Sequence, residues 1–182
     1  NNHYNCPVVA YYGEVIKANQ ELGNTKLLIP YLSLDNKKHF IKRISETFGL
    51  NKGAVKKATE KAFSALEDYH KKVCTKAEEL ITKARNEHRR IIVLAGRPYH
   101  VDEETNHGID RLLTGLGCCV ITEDSISNRV PKDNVNVLNQ WTYHARLYDA
   151  ARYVATQDDM DLVQFVSFGC GLDAVTTDQV EE

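Results

Sequence analysis

The sequence predicts an α/β fold: a parallel sheet with helices on both faces, carrying one long helical insertion. Three observations predict it. Apolar runs at residues 90–96, 118–122 and 161–168 alternate with amphipathic stretches across short loops, the order a parallel sheet requires. The run Ile91-Ile92-Val93-Leu94-Ala95 is apolar on consecutive positions, as a strand covered on both faces should be. The 182 residues, 42% hydrophobic and 26% charged, are enough for a core without staples and exclude a mainly disordered or collagen-like chain.

The elements follow in order. Val8-Val9-Ala10-Tyr11-Tyr12 reads as a short strand or as the opening of a helix, since Pro7 suits a first helical position and Gly23 could end it. Residues 26–31 read as a buried strand. Phe40, Ile41, Ile44 and Phe48 keep helical spacing, with Gly49 as the C-cap. From 52 to 89, Ala54, Val55, Ala58, Ala62, Leu66, Tyr69, Val73, Ala77, Leu80 and Ile81 recur every three or four residues, which predicts one amphipathic helix or two. Residues 104–116 read as a helix with Ile109, Leu112, Leu113 and Leu116 inward and Gly117 after it. Residues 135–155 read as a helix, and the last helix begins just after Gly171. The pattern implies a Rossmann- or flavodoxin-like lobe from residues 1–35 and 90–182, with 36–89 as a helical insertion or subdomain. Because the chain lacks an initiator methionine and residues 173–182 read as a helix still running, it is expected to be a fragment of a longer protein.

Charge is sorted along the chain. Residues 36–90 hold 15 Lys/Arg against 7 Asp/Glu, and residues 91–182 hold 6 against 15. Glu60, Glu67, Asp68, Glu78 and Glu79 stand among the lysines, which reads as a solvated helix face with i,i+4 pairs. Without interleaved aromatics, no nucleic-acid partner is expected. No apolar run is long enough to span a membrane. Five scattered cysteines, Cys6, Cys74, Cys118, Cys119 and Cys170, argue against a secreted disulfide framework and for a reducing, cytoplasmic setting.

Sites in an open parallel sheet form at the carboxyl ends of strands, and two loops there stand out. Gly96-Arg97-Pro98-Tyr99-His100 follows the strongest strand, with His107 farther on. Arg97 offers a fork for a carboxylate or phosphate and His100 titrates near neutrality, making Arg97, His100 and His107 the catalytic candidates. The plainer alternative pairs Arg97 with an acid such as Asp124 and leaves His100 to cap a turn. In Ser167-Phe168-Gly169-Cys170-Gly171-Leu172-Asp173-Ala174, Gly169, Gly171 and Ala174 match a dinucleotide fingerprint, though after the wrong strand. Cys170, between glycines at a helix start, is suited to act as a thiolate ligand or nucleophile. Cys6, ahead of Pro7, shares that setting if a helix starts there. Cys118 and Cys119 read as small hydrophobes and Cys74 as inert, and no C-x-x-C is present.

The segments Asn5-Cys6-Pro7-Val8-Val9, Leu94-Ala95-Gly96-Arg97-Pro98-Tyr99-His100, Asn106-His107-Gly108-Ile109-Asp110, Val120-Ile121-Thr122-Glu123-Asp124 and Ser167-Phe168-Gly169-Cys170-Gly171-Leu172-Asp173-Ala174-Val175, in that order, closely resemble one family. It is the dehydratase-like region of 2-hydroxyacyl-CoA dehydratase activase-related proteins (CoA-substrate-specific enzyme activases), which is similar to the D-component of 2-hydroxyglutaryl-CoA dehydratase. The resemblance implies α/β lobes that hold an iron–sulfur cluster, of the 4Fe-4S kind, in an ATP-dependent, low-potential electron-transfer system of anaerobic metabolism. It implies an ATP-dependent activase domain or subunit as partner, with ATP bound only there, and a CoA thioester as a candidate substrate. By position, Cys6 and Cys170 carry over as metal ligands, with Gly169 and Gly171 flanking the cofactor. A further family cysteine lies upstream of residue 1, so the cluster is expected to be incomplete or absent in this chain, and the chain inactive alone. Two alternatives stand beside this reading: a nucleotide-binding Rossmann-type domain and a non-catalytic docking scaffold.

Overall fold

The computed structural model describes residues 4–131, 136–167 and 169–182. It divides into two compact units, residues 5–69 and residues 70–182 with Tyr4.

The first unit holds α1 (Pro7–Ala10), α2 (Tyr12–Asn19), α3 (Lys37–Phe48) and the beginning of α4 (Lys52–Asn86). Residues 8–12 therefore take the helical option, with Pro7 in the first turn. The strand expected at 26–31 is corrected: those residues are extended without a ladder, and Leu28 and Tyr31 are exposed. An apolar run becomes a strand only where a neighbour takes its backbone groups. The helix expected at 36–48 forms. The Asn36 side chain accepts from the His39 N–H at 3.0 Å, and Gly49 ends it at φ 63°. Asn51 likewise accepts from Gly53 and Ala54 at the start of α4. Phe40 meets Phe63 edge-to-face at 6.2 Å, with the Lys37 ammonium 4.5 Å from the Phe63 ring centre. The stretch from 52 is one helix of 35 residues, with Val55 and Thr59 buried in its first part.

The second unit holds the rest of α4, then β1 (Ile91–Ala95), α5 (Ile109–Gly115), β2 (Cys119–Thr122), α6 (Thr142–Val154), β3 (Met160–Gln164) and α7 (Gly171–Glu181). The sheet is all-parallel in the order β2-β1-β3, pairing Ile91 with Cys119 on one side and with Met160 on the other. The α/β expectation holds. All five residues of β1 are buried, so both faces of the central strand are covered. Ile91 and Val93 join Cys119, Ile121 and Met160 against Ala77, Ile81 and Ala84 of α4 and Ala150 and Val154 of α6. The crossover through α5 steps from β1 to β2 and the one through α6 runs back from β2 past β1 to β3; the two run in opposite directions, so a common hand puts α5 and α6 on opposite faces.

Two helix starts fall later than expected. Residues 102–108 form turns in which Asp102 accepts from Glu104 and Thr105, and Asn106 from Gly108. His107 and Gly108 then take left-handed φ of 55° and 78°, so the helix expected from 104 begins at Ile109. The helix expected from 135 begins at Thr142, where the Tyr4 backbone pairs with Gln140 and Thr142. Val135 lies outside the described residues. The strand expected at 161–168 is Met160–Gln164, and Phe168 also lies outside them.

At the amino ends of the strands, Arg85 forks onto Asp159, Arg90 pairs with Asp161, and Arg89 donates to the Gly117 and Cys118 carbonyls. No helix among the described residues is long and apolar enough to cross a membrane.

Candidate functional site

Because β1 lies between β2 and β3, its carboxyl end is the point where the strand order reverses, the usual place for a ligand crevice in an open α/β sheet. The β1–β3 ladder continues one step beyond β3, with the Phe165 N–H on the Ala95 carbonyl at 2.7 Å. This brings the Gly96–Val101 loop beside Val166–Ser167 and the start of α7.

The loop after β1 folds back on itself. The Arg97 N–H donates to Nδ1 of His100 at 3.2 Å. A Cβ on Gly96 would stand 2.9 Å from the His100 Cβ and Nδ1, so only glycine leaves the ring its place. An amide can only donate, so Nδ1 is the bare nitrogen and Nε2 carries the proton. Nε2 then donates to the Ser167 hydroxyl at 3.0 Å, and that hydroxyl meets the Tyr99 hydroxyl at 2.6 Å. Burial, and secondarily Arg97, hold the His100 pKa below its ordinary value, against Asp173, which fits the neutral ring. In this tautomer His100 cannot accept the Ser167 proton. The pair is a hydrogen-bonded relay ending at half-exposed Tyr99, and His100 is not the base that Ser167 would need as a nucleophile.

Beneath the relay lies a buried charge cluster. Asp173, 4% exposed, accepts from Arg97 Nη2 at 2.5 Å and from the Ser167 N–H at 2.6 Å. Its other oxygen faces Nε2 of His144 at 3.4 Å. Asp173 stands in the first turn of α7 and His144 in the first turn of α6, so one carboxylate joins both helices to both loops. The pairing of Arg97 with Asp124 does not occur: Asp124 accepts from the Thr122 hydroxyl at 2.6 Å, and the partner is Asp173. Beyond β2, Glu123 is buried and pairs with Arg146; burial raises its pKa, against the pull of Arg146.

Cys170 is the N-cap residue of α7, half-buried with a free thiol, after Gly169 at φ 79°. Its N–H bonds the Ser167 carbonyl at 3.0 Å, which ties it to the same edge. Cys6, in the first unit, is the N-cap residue of α1 and also free. His107 is exposed in its left-handed turn and joins no side-chain hydrogen bond among the described residues. Arg97, His100 and Cys170 are thus brought to one edge. Composition and motif reading missed His144, masked inside an apolar helix, and missed the role of Asp173, masked inside the glycine pattern. The signal that could have found Asp173 is an acid in a helix first turn, directly beyond a loop facing an arginine.

The fit of an iron–sulfur cluster can be tested on these residues. Among the described residues, no group of three or more His, Cys, Asp or Glu is placed to hold a metal ion. Cys119 is paired with the first residue of β1, at the opposite end of the strands from Cys170. Burial raises its thiol pKa and keeps it protonated. The described residues of the α/β unit therefore do not supply a ligand set by themselves, and Cys170 is the one thiol among them at its carboxyl edge.

Fold and edge together define an open-sheet α/β domain with the candidate residues Arg97, His100 and Cys170 at the carboxyl edge. A family model described as the CoA enzyme activase uncharacterised domain (DUF2229) matches residues 1–126, and the chain belongs to that family. Cys6, Arg97 and His100 lie inside the matched stretch; His144, Ser167, Cys170 and Asp173 follow it. No curated protein and no solved structure matches the chain.

Proposed function

We propose that this CoA enzyme activase-related domain serves an ATP-dependent, low-potential electron-transfer system. In this reading Cys170 and Cys6 each give one thiolate to an iron–sulfur cluster whose other ligands lie beyond the α/β unit. The observation that carries the reading is the setting of Cys170: a free thiol at a helix start, between two glycines, on the switch-point edge of a domain of this family. A helix start and open flanks favour a thiolate and leave space for a bulky group. A bound cluster would supply one-electron chemistry. Around it, Asp173 and Arg97 would fix the start of α7, and the His100–Ser167–Tyr99 relay would hold polar hydrogens at the crevice. The partners are an ATP-dependent activase and a dehydratase-type enzyme, with a CoA thioester as the candidate substrate. The dinucleotide reading of Gly169–Ala174 is less favoured, because Asp173 places a carboxylate in the helix turn where a pyrophosphate would dock.

The test is iron and acid-labile sulfide in the polypeptide carrying this chain, purified without oxygen, beside Cys6→Ser and Cys170→Ser. Near-stoichiometric iron that falls in both variants is expected. An intact protein free of iron would overturn the reading and leave the docking scaffold.

A further inference from the structure

His144 is 3% exposed. One ring nitrogen faces Asp173, while Nδ1 is buried and meets no hydrogen-bond partner among the described residues. The charged groups that bear on it are Asp173 from α7 and Arg97 from the loop after β1. These two already neutralise one another. A proton on Nδ1 would therefore be a second buried positive charge with no acceptor, a costly arrangement.

We propose that His144, Asp173 and Arg97 form an acid-sensitive latch, which holds the start of α6 to the start of α7 while His144 is neutral and releases it when His144 takes up a proton. Release frees the Gly169–Cys170–Gly171 turn, so the latch controls access to the switch-point edge whether or not a cluster is present.

Burial is the main cause that lowers the His144 pKa; Arg97 adds to it and Asp173 opposes it. The sign follows. A histidine whose folded pKa lies below its unfolded value stabilises the closed form above the unfolded value, about 6.5, and loses that stability as pH falls toward the folded value.

The experiment is hydrogen–deuterium exchange of the amides of α7 and the first turn of α6, corrected for intrinsic rates, from pH 8 to pH 5. Protection is expected to fall about tenfold per pH unit once below about 6.5, the slope of a one-proton linkage. In His144→Gln, which keeps an N–H for Asp173 but takes up no proton, the pH step should vanish. In His100→Gln, a control for the neighbouring histidine, it should persist. A step unchanged in His144→Gln, or absent in the wild type, overturns the latch. Should His144→Gln fold poorly, the NMR titration of the wild-type histidines decides: a His144 resonance titrating at or above the ordinary value overturns it as well.

Discussion

Asp173 shows how much one buried side chain can fix. Its carboxylate takes an N–H from a loop, a guanidinium from a second loop and faces an imidazole from a third element. Removing one partner of such a pair leaves a charge in a dry site, which typically costs several kcal/mol. Arg97, 14% exposed, and Arg85, 44% exposed, make the comparison. Arg97→Ala should lose about 3 kcal/mol in urea unfolding, while Arg85→Ala, whose partner Asp159 is also open to solvent, should lose less than about 1 kcal/mol. Equal losses would mean that the Asp173 site is hydrated. The sequence placed Arg97 and His100 at a strand end by position alone. It could not choose the acid that pairs with Arg97, because Asp124 and Asp173 both follow strands that flank β1; the structure turns Asp124 onto the Thr122 hydroxyl and gives Asp173 to Arg97.

Elements were legible where burial alone decides them. β1 declared itself by five consecutive apolar residues, and α3 by its caps and spacing. Residues 26–31 also hold an apolar run, yet among the described residues none pairs with them as a strand, and that depends on the other strands. The late starts of α5 and α6 arise from side chains that compete for backbone groups, Asp102 and Asn106 in one case, and from the Tyr4 backbone bridge in the other. The long helix α4 anchors the sheet through its second part, where Ile81 is 2% exposed against β1 and β2. Ile81→Ala should destabilise the second unit by about 2–5 kcal/mol; a loss under about 1 kcal/mol by thermal unfolding would show that α4 does not pack there.

For the molecule as a whole, the sorted charge of the sequence has two uses. Lysines of α4 pair along their own helix, as Lys56 with Glu60 and Lys76 with Glu79, and Arg85 near its end and Arg90 beyond it reach the acids at the start of β3. This is the solvated, self-paired face that the pattern suggested. The carboxyl edge of the sheet gathers the candidate site, and the family match places the chain among CoA enzyme activase domains. The central claim is that Cys170 at that edge is a cluster ligand. The most direct measurement is cysteine-by-cysteine alkylation of the oxygen-free protein, read by mass spectrometry before and after iron is stripped. Cys6 and Cys170 should resist labelling until iron is removed, buried Cys119 should resist throughout, and Cys74 should label equally in both samples. Full labelling of Cys170 before iron removal would contradict the account.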